Sequence, residues 1–209
     1  MALVEGTNAG FVSVAPVSDP GSTNFNWERY NYCSKYSAPA TGIVTEVGIW
    51  VSRNSASVRT IELGVYEDDG GEPGDLLGSD TVEVAVDTNF WAKVTGLNIP
   101  IENGTSYWIA FADNEISGVF EIDYRSSFKT SRREVVAQLF DDPWDTANDG
   151  TSTTTLSYYA LYEEVGTNMT VQVDEAYKDV ANAYVQVDDA WKEVDSAVVN
   201  KDDAWKTIF

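Results

Sequence analysis

The 209-residue chain contains no histidine, a single cysteine and no long apolar run. Without histidine, Ser–His–Asp and Cys–His catalysis are excluded, as are zinc and iron sites with imidazole ligands. Cys33 cannot form a disulfide within the chain, and with no histidine to activate it we expect its thiol to be buried. No apolar stretch approaches the roughly 18 residues that a membrane-spanning helix requires. The chemistry that remains is a carboxylate pair or a cation held by oxygen ligands.

Basic residues are also few. The chain has 13 Lys and Arg against 34 Asp and Glu, a net charge of −21. So acidic a chain repels phosphate backbones and anionic lipids, and we therefore expect neither a nucleic acid nor a membrane as a partner. A well-solvated surface, a bound divalent cation or a cationic partner would each account for the acidity, and the solvated surface is the simplest explanation.

Apolar residues recur at every second position between about residues 41 and 161. This alternation is typical of strands with one buried face. The runs that show it are residues 46–51, 60–65, 81–86, 107–111, 119–124 and 156–162. Turn sequences separate the runs at residues 68–74, 103–104 and 149–150. The pattern predicts an all-β fold, an antiparallel jelly-roll β-sandwich, with one or two further strands near residues 27–36.

The C-terminal part, residues 167–209, contains no glycine or proline and repeats with a 14-residue offset, marked by Val171, Val185 and Val199. Two structures fit the repeat. The Val-x-Val alternation followed by an acidic pair favours β-hairpins, although no glycine occupies the turns. Fourteen residues also equal two heptads of a coiled coil, but valine and aspartate are poor helix formers. We favour hairpins, and predict a β-sandwich at residues 1–166 followed by a repeat module at residues 167–209.

The repeats carry regularly spaced aromatic residues, namely Tyr177, Trp191 and Trp205. A module of this size has little room for a core of its own. Large aromatic side chains are also common anchors of protein interfaces. We therefore expect these three residues to bind a partner, either another copy of the chain or another protein of the same assembly. Packing against residues 1–166 is the alternative.

An acidic segment at residues 141–150 surrounds Trp144 with carboxylates. The candidate ligands for a Ca²⁺ ion there are Asp141, Asp142, Asp145 and Asp149. Several oxygen ligands from one flexible segment suit a hard cation, although the spacing differs from that of an EF-hand. A solvated acidic loop is the interpretation we favour. No other cofactor is expected.

Two tryptophans, Trp27 and Trp144, fall in loop-like segments rather than in strand patterns. Aromatic faces match the apolar faces of sugar rings, so these two residues are the candidates for binding a glycan. Most of the other aromatic residues lie within strand patterns, where packing in the core is the commoner role.

Residues 61–77, with Trp91 and residues 104–110, resemble a jelly-roll domain found in bacterial extracellular proteins and bacteriophage structural proteins. The resemblance covers about residues 41–112, and more loosely extends to residue 162. The Ala-Trp-Lys motif at residues 190–192 and 204–206 is similar to C-terminal repeats of tailed-phage virion proteins. Those repeats carry Gly-Gly where this chain has Asp188 and Asp189. Neither resemblance implies a catalytic residue.

These observations predict a non-enzymatic structural component of a virus particle, such as a capsid decoration, a head fibre or a tail appendage. The expected location is the virion or another extracellular setting. The first residues lack the features of a secretory signal, and no disulfide can form within the chain. Both features agree with a virion protein, because such proteins fold in a reducing cytoplasm and reach the outside by lysis. A carbohydrate-binding adhesin is the alternative. A glycosidase using two carboxylates is a third and weaker hypothesis.

Overall fold

The computed structural model describes residues 3–21, 23–26, 31–54, 58–85, 89–113, 120–134, 139–145, 149–164, 184–187, 190–193, 198–201 and 204–207. For the strands after residue 183 it describes the backbone. The chain divides into two compact units, Met1–Val165 and Gly166–Phe209. Among the described residues every regular element is a strand, and none forms a helix long and apolar enough to span a membrane.

Eleven described strands of the first unit form one sheet, and four more form two strand pairs in the second unit. The strands of the first unit are β1 (Gly10–Val12), β2 (Thr23–Asn26), β3 (Asn31–Ser37), β4 (Gly42–Asn54), β5 (Arg59–Asp69), β6 (Glu72–Val84), β7 (Phe90–Ile101), β8 (Ser106–Asp113), β9 (Phe120–Glu134), β10 (Asp149–Leu156) and β11 (Tyr158–Glu164). Those of the second unit are β12 (Tyr184–Val187), β13 (Ala190–Glu193), β14 (Val198–Lys201) and β15 (Ala204–Thr207).

The main sheet has the order β1-β11-β4-β9-β3-β8-β5-β6, with β7 also paired to β4, and β2 and β10 also paired to β9. Strands β1 and β11 are parallel, whereas the other pairs are antiparallel. The all-β prediction is therefore confirmed, but the sheet is open and mixed rather than purely antiparallel.

Strand β4 belongs to two parts of this sheet. Residues up to Val51 pair with β7 and, over most of that length, with β11. Val51 also pairs with β9, as do Arg53 and Asn54, and the register of this pairing shifts between Val51 and Arg53. A bulge bends and twists a strand, which allows it to pass from one layer to the next. Strand β4 thus joins a layer made of β11, β4 and β7 to a layer made of β9, β3, β8, β5 and β6.

The hydrophobic core combines side chains from both layers. Val47 and Val94 come from the β11–β4–β7 layer, and Leu63, Ile109 and Phe111 come from the other layer. All five are buried. The arrangement is sandwich-like, because each layer contributes one face of its alternating strands to the shared core.

Both layers also carry a smaller cluster on the face that points away from the core. We call these the β8 cluster and the β4 cluster. The β8 cluster consists of Cys33, Tyr66, Trp108, Ala110 and Trp144. The β4 cluster consists of Val12, Trp50, Trp91 and Tyr159. The expectation that Cys33 is buried is confirmed.

Two of the predicted turns are observed and one is not. Gly70 and Gly71 connect β5 to β6 with φ angles of 61° and 105°, which residues with a side chain rarely adopt. Gly104, with φ of 78°, lies in the turn between β7 and β8. Asp149 and Gly150, in contrast, begin β10 and pair with β9. The turn prediction was wrong there because pairing with a distant strand outweighs the local preference of an Asp-Gly sequence.

In the second unit, β12 pairs with β13 and β14 pairs with β15, both antiparallel. Each strand begins 14 residues after its counterpart in the preceding pair, which is the offset of the sequence repeat. The acidic pairs that connect the strands, residues 188–189 and 202–203, lie outside the described residues.

Candidate functional site

The first part of the acidic segment, residues 141–145, contacts the outer face of β5 and β6 and contains three of the four candidate Ca²⁺ ligands. The hydroxyl of Tyr66 donates to the backbone oxygen of Asp141 at 2.7 Å. The backbone N–H of Leu76 donates to Oδ1 of Asp142 at 3.0 Å. Asp141 and Asp142 therefore attach this segment to the sheet.

The four candidate Ca²⁺ ligands do not converge. Within the described ranges, no three acidic or cysteine side chains form a group that could hold a metal ion. Asp142 faces the backbone of β6, whereas Asp149 lies beside Arg132, with 3.9 Å between Oδ2 and Nε. The structure thus separates Asp142 from Asp149.

Trp144 is buried, with only 3% of its surface exposed. Its ring packs edge-to-face against Tyr66 with 5.3 Å between ring centroids. Its backbone N–H donates to the carbonyl of Gly74 at 3.1 Å. The ring completes the β8 cluster and offers no free face on which a sugar could stack. The other candidate for sugar stacking, Trp27, lies outside the described residues.

The predicted partner-binding residues lie in the second unit. Trp191 is paired with Gln186 in the first strand pair, and Trp205 is paired with Asn200 in the second. The two tryptophans therefore occupy equivalent register positions. Tyr177 lies outside the described residues.

Asp149 is a carboxylate whose side chain is almost completely buried. Its side chain is 5% exposed, and its Oδ1 accepts from the backbone N–H of Gly150 at 2.5 Å. Burial raises the pKa of Asp149 above its ordinary value, and the negative charge of Glu72 raises it further. The Gly150 N–H and the Arg132 guanidinium lower the pKa, but they only partly offset burial.

We expect Asp149→Asn to stabilise the protein at neutral pH. An acid whose pKa is raised in the folded state binds its proton more tightly when folded, so its contribution favours folding at low pH and is lost as pH rises through the folded pKa. The amide removes this penalty and keeps an oxygen for the Gly150 N–H. Urea unfolding at several pH values checks the prediction: the advantage of the variant over the wild type should shrink below the folded pKa. A destabilisation of equal size at every pH would contradict it.

A second candidate site is the outer face of the β11–β4–β7 layer, where aromatic and polar side chains meet. Trp50 is paired with Trp91 of β7, and its backbone N–H donates to the carbonyl of Ser157 at 2.9 Å. The Trp91 ring packs edge-to-face against Trp50 and Tyr159, with centroid distances of 5.4 Å and 5.1 Å. Three neighbouring strands thus present their aromatic rings on one face.

Gly48 makes room for this arrangement. It is paired with Tyr159 on one side and Lys93 on the other, and a Cβ at Gly48 would lie 2.5 Å from the Tyr159 ring. The ring therefore extends across β4, where its hydroxyl donates to Oε1 of Glu46 at 2.5 Å. Nζ of Lys93 donates to the other oxygen of Glu46 at 2.9 Å. Burial, together with the hydrogen bond and charge of Glu46, raises the pKa of Tyr159 well above its ordinary value.

Residues 12–18, which we call the strap, lie against these rings. Val12 belongs to the β4 cluster, and Ala15 packs against it. Nε1 of Trp91 donates to the carbonyl of Ser18 at 3.1 Å. The strap begins with Val12, the last residue of β1, so the parallel pairing of Val12 with Leu161 of β11 fixes where it begins.

Only the β4 residues of this face could be predicted from the sequence. The alternation in β4 places Glu46, Gly48 and Trp50 on the side away from the core, but it carries no information about the partners from β7, β11 and the strap. The rings and the Glu46 carboxylate can take part in stacking and hydrogen bonding, and the half-exposed Lys93 marks where the face meets solvent.

No protein-family model matches the chain, and neither does a curated protein or a solved structure.

Proposed function

We propose that this protein is a non-enzymatic structural component of an extracellular assembly such as a virus particle, and that its C-terminal unit attaches it to other copies of itself. The observation that carries the proposal is the recurrence of one strand pair with the 14-residue offset of the sequence repeat. A repeated small element at the end of a larger domain suits attachment, because several weak contacts add up when they act together.

The size of the strand pairs supports this role. Each described pair consists of two strands of four residues. An isolated two-stranded hairpin is marginally stable at best in water, and three or more strands or a packed face are needed for stability. The pairs therefore require a further surface to pack on, and a second copy of the same repeats supplies one with matching periodicity.

The equivalent positions of Trp191 and Trp205 add a second argument. Tryptophan is over-represented among the residues that contribute most to binding at protein interfaces. Regular spacing would place such anchors at equal intervals along an assembled surface. The resemblance of residues 61–77 to jelly-roll domains of phage structural proteins, and of the repeats to those of virion proteins, favours a virus particle as the setting.

Replacing both Trp191 and Trp205 by alanine in the full chain is expected to convert an oligomer into monomers, since both interface anchors are lost. Light scattering coupled to size-exclusion chromatography measures the mass directly. A chain ending at Val165 should behave like the double variant, because it lacks the whole second unit.

The matched control replaces Lys192 and Lys206, the neighbours of the two tryptophans on the same strands, by alanine. This variant should keep the mass of the wild type. The proposal fails if the wild type is itself a monomer, or if the double tryptophan variant keeps the oligomeric mass.

A further inference from the structure

Two polar side-chain atoms beside the outer face of the β11–β4–β7 layer are buried without a partner. They are Nε1 of Trp50 and Oγ of Ser157. In the part of the chain that the structure describes, neither of them makes a hydrogen bond. Trp50 is 6% exposed and Ser157 is fully buried, so bulk solvent does not form hydrogen bonds with these two groups.

The two atoms belong to neighbouring residues, because the backbone N–H of Trp50 donates to the carbonyl of Ser157. Alternation places Trp50 on the face of β4 that points away from the core. Ser157 lies between Leu156 and Tyr158, which both face the core, so its own side chain points away from the core. Buried polar groups are normally paired, and two neighbouring unpaired groups indicate a missing partner.

The chemistry of these groups selects the missing partner. A serine hydroxyl can donate and accept, while an indole N–H only donates. A cation is disfavoured because it would face the indole N–H, and an anion is disfavoured by the nearby Glu46 carboxylate and the net charge of −21. A neutral molecule with several hydroxyl groups satisfies both atoms.

The adjacent aromatic rings narrow the class further. Trp50, Trp91 and Tyr159 provide apolar surface beside the unpaired atoms. The combination of ring faces with neutral hydrogen-bonding groups matches a sugar ring, which has apolar faces and a hydroxylated rim. Glu46, on the same side of β4, adds a carboxylate that can accept from sugar hydroxyls.

Access to the rings is controlled by the strap. Val12 and Ala15 hold it to the β4 cluster, and the Ser18 carbonyl accepts from Nε1 of Trp91. Its two other valines, Val14 and Val17, are 76% and 92% exposed, so they contribute little to holding it closed. A segment held by few apolar contacts opens at low free-energy cost compared with the core.

We propose that the face around Trp50 is a saccharide-binding site, and that the strap covers it until a saccharide displaces residues 12–18. The Trp50 indole and the Ser157 hydroxyl hydrogen-bond the sugar hydroxyls, and the rings that the displaced strap uncovers stack on the sugar. This site lies in the first unit and is independent of the assembly role proposed for the second.

The test begins with the full chain on a printed glycan array, followed by calorimetry with the soluble form of the best-bound glycan. Trp50→Phe keeps an aromatic ring but removes the N–H, and it should weaken binding by about tenfold, the value of one hydrogen bond. Ser157→Ala should weaken it similarly. Ala15→Glu places a charge against the rings and should strengthen binding at least about threefold, because the open state becomes more populated.

Trp144→Phe is the matched control. Nε1 of Trp144 is also buried and unpaired, but it belongs to the β8 cluster, so this variant makes the same chemical change outside the site. It should leave saccharide affinity unchanged. Thermal unfolding of each variant, run in parallel, separates lost binding from lost folding.

Three results would overturn the proposal. The first is an absence of binding to every glycan on the array and to cellotetraose, maltotetraose and chitotetraose in solution, by both the wild type and Ala15→Glu. The second is equal loss of binding in Trp50→Phe and Trp144→Phe. The third is a crystal structure with ordered water alone on the two atoms, even after soaking with these oligosaccharides. None of these outcomes bears on the oligomeric mass, which tests the assembly role separately.

Discussion

Asp113→Ala is expected to lower the free energy of unfolding by about 3–5 kcal/mol, the cost of leaving a buried charge without its partner. Nη1 of Arg59 donates to Oδ2 of Asp113 at 2.5 Å, and the two side chains are 1% and 0% exposed. Without the carboxylate, the guanidinium stays buried but loses the opposite charge that lies against Nη1. Urea unfolding at neutral pH, followed by circular dichroism, measures the loss.

Two controls separate the charge effect from a general loss of packing. The double variant Arg59→Met with Asp113→Leu should recover most of the stability, because apolar side chains need no counter-charge. Glu5→Gln breaks the more exposed pair of Glu5 with Lys129 and should cost no more than about 1 kcal/mol. If Asp113→Ala costs as little as Glu5→Gln, the Arg59 pair is not a buried ion pair in solution.

Trp108→Ala should cost about 3–5 kcal/mol, as expected when a large buried aromatic side chain is removed. The residue is fully buried on the outer face of β8 and packs with Tyr66 and Trp144 in the β8 cluster. Its Nε1 donates to Oδ1 of Asp68 at 2.8 Å. The variant therefore loses both a large apolar contact and a hydrogen bond. Denaturant unfolding gives the size of the effect, and near-ultraviolet circular dichroism reports the packing of the remaining rings.

Trp108→Phe is the matched control for this prediction. It keeps a ring in the cluster and loses the N–H, and Asp68 retains its pair with Lys35. Its cost should be about 1–3 kcal/mol, smaller than that of the alanine variant. Equal effects of the two substitutions would mean that the hydrogen bond to Asp68, rather than ring packing, supplies most of the contribution of Trp108 to stability.

The core-facing residues of the sandwich could be predicted from the sequence because strand alternation is a local property. Val47, Ile49 and Leu63 were expected on the apolar face of their strands, and all three lie in the core. Period-two patterning fixes which side a residue takes as soon as one face is buried. The turn at Gly70 and Gly71 could also be predicted from the sequence, because a tight turn there depends on those two residues.

The packing of side chains on the outer face of β8 could not be predicted from alternation. Alternation alone makes Trp108 and Ala110 the solvent-facing partners of Ile109, but both belong to the β8 cluster. The ring that completes this cluster, Trp144, comes from a segment far along the chain. Contacts of this kind depend on the tertiary fold, and the pattern around Trp144 gave only a loop.

The split within residues 156–162 has a similar cause. The sequence pattern predicts one strand there, whereas β10 ends at Leu156 and β11 begins at Tyr158. The backbone N–H of Ser157 donates to the carbonyl of Asp123 at 2.8 Å, and its own carbonyl accepts from Trp50. The chain thus leaves one layer and enters the other at a single residue, without any glycine or proline to mark the change.

The position of β11 has a consequence for how the protein is made. Gly10 pairs with Tyr159, which also pairs with Gly48, so β11 is inserted between two strands that the ribosome produces much earlier. Until β11 leaves the exit tunnel, the edge of β4 that β11 covers is unpaired, and β1 lacks the described strand with which it pairs. Unpaired strand edges invite pairing with other chains. Nascent copies translated close together on one message therefore depend on rapid completion of β11 to remain separate.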